Sequence, residues 1–161
     1  MKEYSDLKEK FPFPVFSTDV DSWEEIERLK IPTKYFVMLL LADYSTIDSE
    51  EMALLAKRLI GKGLRYVCLW GPESTLGDNG FDYGNMLWEE ENSTELHLMT
   101  TWHDEPLADA VWFWLYNGTP DDEYWTKCSA VVVNLLQTAP NKDLERMLCD
   151  IDYLNNEASD T

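Results

Sequence analysis

Short apolar runs alternating with amphipathic stretches predict an α/β fold around a mostly parallel sheet. Two observations carry the prediction. The run Tyr35–Ala42 (YFVMLLLA) is apolar without a break, as suits a strand buried on both faces. The chain of 161 residues, 45% hydrophobic and 13% aromatic, holds enough apolar mass for one domain to cover both faces of such a sheet. The expected architecture is a single domain over residues 1–161. It is a three-layer sandwich with a mostly parallel sheet of about four strands flanked by helices.

Residues 1–20 read as an extended lead-in, with Phe11, Phe13, Val15 and Phe16 set among Pro12 and Pro14. The stretch from Asp21 to Glu24 caps a short helix that turns Ile26 and Leu29 inward and stops at Pro32. Tyr35–Ala42 is the first strand. Asp48, with Glu51 three residues on, opens a helix whose Met52, Leu55, Ala56, Leu59 and Ile60 recur at steps of three and four. Gly61 or Gly63 ends it. Arg65–Trp70 (RYVCLW) is the second strand.

Residues 71–94 read as a long connection that opens with loop-like GPESTLGDNG, with a short helix at Tyr83–Glu90. Leu96–Thr101 is the third strand. Asp104 and Pro106 open the next helix, which points Leu107, Ala110, Val111, Trp114 and Leu115 inward. Ala130–Leu135 is the fourth strand. Pro140-Asn141 begins a last helix with Leu144, Met147, Leu148 and Ile151 on one face, and residues 155–161 read as a frayed tail. Parallel strands in this order need right-handed crossovers, which place helices on both faces.

The net charge is −18, and it is unevenly spread. Between Gly71 and Thr126 there are thirteen acids and no Lys or Arg. Such a field repels nucleic acid and anionic membranes and attracts a basic partner. No apolar run approaches the roughly 20 residues that span a bilayer. The charged start MKEYSDLKEK lacks a secretory core, so a cytoplasmic location is expected. Cys68, Cys128 and Cys149 show neither CxxC nor metal-ligand spacing and read as free thiols.

Open parallel sheets bind ligands at the C-terminal ends of their strands. That rule selects Asp43, Thr101, His103 and Asn134 as the lining of a pocket. His103 has the chemistry of a general base oriented by a carboxylate such as Asp43 or Asp104, with Thr101 as nucleophile or anion donor. The same residues also read as a helix cap at Asp104 and a loop histidine bonded to a carbonyl. No metal is expected: His103, Asp104, Glu105 and Asp43 lack metal-binding spacing, and Asp78-Asn79-Gly80 with Asp82 lacks the closing Glu of a calcium loop. No cofactor is expected either. GPESTLGDNG lacks the Lys of a phosphate loop, and neither GxGxxG nor GxSxG occurs.

The base-free block supplies a second set of candidates. Glu73, Asp78, Asp82, Trp88, Glu89, Glu90 and Glu91 fall in the long connection, and Asp121, Asp122, Glu123 and Trp125 precede the fourth strand. Acids set among aromatics suit a face for a basic protein, because charge steers encounter and desolvated rings anchor it. An acidic surface that only keeps the chain soluble would normally interleave both signs.

A strand ending in Trp70-Gly71 and a later strand running into Thr100-Thr101-Trp102-His103 before an aromatic helix resemble an uncharacterised bacterial α/β domain family, over about residues 35–135. The resemblance implies a fold and no activity. In size and acidity the chain is also similar to immunity proteins that neutralise basic toxins. The expected function is a non-enzymatic acidic protein that binds or inhibits a basic protein partner. The alternatives are a small enzyme or ligand-binding domain with its pocket around His103, and a DNA mimic.

Overall fold

The computed structural model describes residues 1–136 and 140–158, without the side chains of 140 and 141. Six strands form one sheet: β1 (Lys2–Glu3), β2 (Val15–Asp19), β3 (Tyr35–Leu41), β4 (Leu64–Trp70), β5 (Met99–His103) and β6 (Cys128–Asn134). Their order is β1-β2-β6-β3-β4-β5. Every pairing is parallel except that of β1 with β2. The helices are α1 (Trp23–Glu27), α2 (Ser49–Gly61), α3 (Ser74–Asn92), α4 (Leu107–Asn117), α5 (Pro140–Cys149) and α6 (Ile151–Glu157).

Side chains alternate across the pleat and so fill two cores. Val37, Leu39 and Leu41 of β3 join Ala130 and Val132 of β6 against α4, α5 and α6. Phe36, Met38 and Leu40 join Val131 and Val133 against α1, α2 and α3. Both central strands are buried on both faces, which explains why they read as unbroken apolar runs.

The four expected strands are present, and the sheet gains two more from the lead-in. Val15–Asp19 forms β2, alongside β6. Its ladder is extended by Ala130 N–H to the Pro14 carbonyl at 2.8 Å and by Val20 N–H to the Asn134 carbonyl at 2.9 Å. The expected last helix is two helices, broken at Asp150, whose carboxylate caps α6 by accepting from Tyr153 N–H at 3.1 Å. Residues 155–157, read as tail, belong to α6, and 159–161 lie outside the described residues.

The largest difference lies between β4 and β5. The expected long connection is mostly the 19-residue helix α3. Its glycines are not turn residues but a contact surface, Gly80 and Gly84 for α2 and Gly77 for the Tyr44 ring just after β3. A Cβ on Gly77 would stand 2.6 Å from the Tyr44 ring, one on Gly80 2.8 Å from Met52, and one on Gly84 2.5 Å from the Ala56 Cβ. These positions, three and four residues apart, form one stripe along the helix. The stripe lets α2 approach more closely than any side chain would allow.

The third strand also begins later than expected, at Met99 rather than Leu96. The backbone of 96–98 is held by α3 side chains instead of by a neighbouring strand. Glu89 accepts from Leu96 N–H at 2.6 Å and from His97 N–H at 2.9 Å, and Asn85 accepts from Leu98 N–H at 3.3 Å. His97 has a φ of 55°, which removes it from a strand. The His97 and Leu96 amides hold the Glu89 carboxyl below its ordinary value. A lowered carboxyl stabilises the fold above its unfolded titration range and stops doing so as pH falls through the folded value. Glu89→Gln should therefore flatten the acid limb of the stability curve between roughly pH 5 and pH 3, followed by urea denaturation. An unchanged acid limb would count against the bracket.

Candidate functional site

Adjacent strands whose C-terminal connections leave toward opposite faces open a crevice between them. β4 leads into α3 on one face and β5 leads into α4 on the other, so the sheet has such a point between β4 and β5. A cleft of about 590 Å³ lies there, lined by Trp70–Thr75 and by Trp102–Glu105. Gly71, with a φ of 130°, makes the turn into it; a Cβ there would sit 1.9 Å from the Ala42 carbonyl oxygen.

His103 is buried at the inner wall of the cleft. Its Nδ1 lies 2.6 Å from Glu105 Oε1 and its Nε2 lies 2.8 Å from Thr101 Oγ1. With Glu105 ionised, Nδ1–H donates to the carboxylate and Nε2 accepts the Thr101 hydroxyl proton. Burial raises the Tyr66 hydroxyl and the Cys68 thiol, and the nearby Thr101 hydroxyl offsets part of each rise. The three residues alternate along β5 and its exit, so they share the α4 side of the sheet, where His103 packs against Phe113 at 4.9 Å. The Trp70 indole N–H donates to the Glu105 carbonyl at 2.7 Å and pins the exit of β5 to β4.

The carboxylate that orients His103 is thus Glu105, rather than Asp43 or Asp104. The order hydroxyl–imidazole–carboxylate can polarise Thr101, but Thr101 does not line the cleft. Asp43, at the end of β3, accepts from the Ser45 hydroxyl at 2.6 Å and from Ser45 N–H at 3.0 Å. The Ser45 hydroxyl and then its amide hold that carboxyl below its ordinary value. Asn134 closes β6, where its amide donates to Asp19 at 3.2 Å and its carbonyl accepts from Leu136 N–H at 3.0 Å. β4 stands between Asp43 and His103, so Thr101 and His103 meet while Asp43 and Asn134 are engaged elsewhere along the same sheet edge. Among the described residues no three His, Cys, Asp or Glu side chains gather as a metal ligand set. Burial pushes the Cys68 and Cys128 thiols up to about 12, which leaves both inert, while Cys149 is exposed.

The acidic candidates divide by position. Asp78, Asp82, Glu89, Glu90 and Glu91 lie on α3, which runs from the cleft to the opposite end of the sheet. Asp78 and Asp82 are one turn apart. Partial loss of water raises both carboxyls, although Asp82 as a residue stays exposed, and the charge of Asp82 raises Asp78 further. Glu89 is the bracket described above, Glu91 pairs with Lys57 at 2.6 Å, and Trp88 packs into the core beside α2. Glu73 and Glu90 are exposed. Asp121, Asp122 and Glu123 are exposed just before β6, at the far end of the sheet from the cleft. Trp125 donates to the Pro120 carbonyl at 2.8 Å and packs edge-on to Phe13. Sequence reasoning missed Glu105 as the partner of His103 and the exposed Met99 and Trp102. The alternation of Thr101, His103 and Glu105 is the signal that could have found the first.

Residues 14–151 match the domain of unknown function DUF7684. The chain belongs to this family. No curated protein and no solved structure matches the chain. The DUF7684 region runs from β2 to the first residue of α6, so it contains the cleft, β5 and the whole base-free block. It extends past both ends of the 35–135 stretch on which the resemblance rested. Among the described residues of this DUF7684 domain no helix is long and apolar enough to cross a membrane.

Proposed function

We propose that this DUF7684 domain is a binding protein for a basic protein partner, which it meets at the edge formed by α3, β5 and α4. One observation carries the reading: the segment without Lys or Arg, 71–126, contains all three of these consecutive elements, with β5 as the edge strand between the two helices. Eight large apolar side chains of that segment are exposed, among them Tyr83, Met86, Met99, Trp102, Trp112 and Tyr116. Glu73, Asp82, Glu90, Glu95 and Asp104 of the same segment are exposed too. Acids steer a basic partner, and rings and thioethers supply desolvated contact once it arrives. A DNA mimic is less well supported, since Glu89 and Glu91 are engaged within the fold.

The test is capture of partners on the immobilised protein at low salt, beside a Glu73→Lys, Glu95→Lys, Asp104→Lys variant. Basic proteins held by the parent and released by salt, with association to the variant slower by about tenfold or more, are the expected result. Equal capture by both proteins would sink the reading. A second reading places a small cationic or neutral ligand in the cleft beside His103, and the switch point between β4 and β5 favours it. Thermal-shift screening with small amines and polyols, with Trp102→Ala as control, would detect it. No shift with any compound would count against it.

A further inference from the structure

We infer that the basic partner docks by adding an extended strand to the open side of β5. The inference rests on the proposed acidic edge and supplies its mode. β5 ends the sheet: among the described residues it pairs with β4 alone. Edge strands normally carry Lys, Pro or a bulge that discourages further pairing. The sequence Met99-Thr100-Thr101-Trp102-His103 has neither Lys nor Pro, and its register against β4 runs without a shift.

The strand is also held ready from both ends. Glu89 and Asn85 fix the backbone that leads into it, and the Thr101–His103–Glu105 chain with the Trp70 indole fixes its exit. A pre-ordered strand loses little conformational freedom when a second strand pairs with it. The two sides of β5 are not closed over. Met99, on the α4 side, is 53% exposed, and Trp102, on the α3 side, is 45% exposed. The Trp114 indole of α4 reaches over β3, toward the Val37 carbonyl, rather than over β5.

Charge chooses the occupant. Exposed Glu95 precedes the strand, exposed Asp104 follows it, and exposed Asp82 lies on the neighbouring helix. An incoming strand that alternates basic and apolar residues would set its apolar side chains on Met99 or Trp102 and its cations among these carboxylates. A second copy of this chain would bring the same acids and a net charge of −18 to the contact.

A ten-residue peptide alternating Lys and Val, capped at both ends, is the probe. Its binding is read by calorimetry, and amide exchange is followed over residues 99–103. Controls are the same peptide N-methylated at every residue, a Glu–Val peptide, and the exposed-site variant Trp102→Lys. The expected result is binding of the Lys–Val peptide with slowed exchange over 99–103. N-methylation, Glu for Lys, and Trp102→Lys should each weaken it tenfold or more. Equal binding of the N-methylated peptide, or unchanged exchange over 99–103, overturns strand addition while leaving an acidic face that works through side chains alone. Failure of the Lys–Val peptide while a captured basic protein still binds also overturns it. Loss of both takes the acidic face with it. A dimer in sedimentation with protected 99–103 would assign the edge to a second copy instead.

Discussion

Gly84→Ala should lower the unfolding free energy by about 2 kcal/mol, although alanine is the better helix former. Helix propensity alone would give a gain of about 1 kcal/mol. The added methyl opposes it, since it would stand 2.5 Å from the Ala56 Cβ and 2.6 Å from the Ala53 carbonyl oxygen. Neither neighbour can swing away: one is a Cβ fixed to its backbone and the other is backbone. α2 and α3 must move apart, and Met52, Ala53, Ala56 and Phe81 lose packing along the seam. Gly61→Ala is the matched control. It sits at the exposed end of α2 with nothing nearer than the Trp88 indole at 4.0 Å, so it should stabilise by roughly 0.5–1 kcal/mol. Urea midpoints of the two variants would then move in opposite directions. A Gly84→Ala midpoint at or above the parent's would mean that the helices are not in contact through the stripe.

The second large effect is expected from His103→Ala, about 2–3 kcal/mol. The imidazole satisfies two groups at once, the Glu105 carboxylate and the Thr101 hydroxyl, and its ring packs on Phe113. Deleting it leaves the part-buried Glu105 carboxylate and Thr101 hydroxyl without the partner that the imidazole gave each of them. Glu105→Gln keeps an acceptor for Nδ1–H and should cost about 1 kcal/mol or less. The signature of the larger loss is local. Exchange of the β5 amides should rise in His103→Ala more than exchange in β3 or β6. Uniform loss of protection would mean that His103 serves the whole core rather than the end of β5.

Most of the central sheet was legible because its cause is local. A run such as Tyr35–Ala42 is apolar at every position, and only a strand covered on both faces needs that. The elements that escaped have non-local causes. β2 is a strand because β6 lies beside it, and VFSTD carries no apolar pattern of its own. α3 was hidden by its glycines, which look like turns until α2 is placed against them. At the candidate site, the position of His103 at a strand end followed from the pattern. The identity of its carboxylate did not, because Asp104 and Glu105 both lie within two residues of His103 and only strand alternation separates them, while Asp43 is brought near or kept away by the order of the strands. The acidic block was visible as composition. Which acids are turned into the fold, as Glu89 is, depended on where the backbone of 96–98 runs.

The absence of Lys and Arg from the α3–β5–α4 edge has a chemical corollary. The last basic residue before it is Arg65 and the first after it is Lys127. Trypsin-like proteases therefore have no site anywhere along that edge, folded or unfolded, and would release it as the single fragment Tyr66–Lys127. Acetylation, ubiquitination and every other modification addressed to a lysine side chain are likewise confined to the chain up to Lys62 and from Lys127 onward. Covalent control of the edge is left to side chains of other chemistry, such as its hydroxyls, its acids and the exposed thioethers of Met86 and Met99.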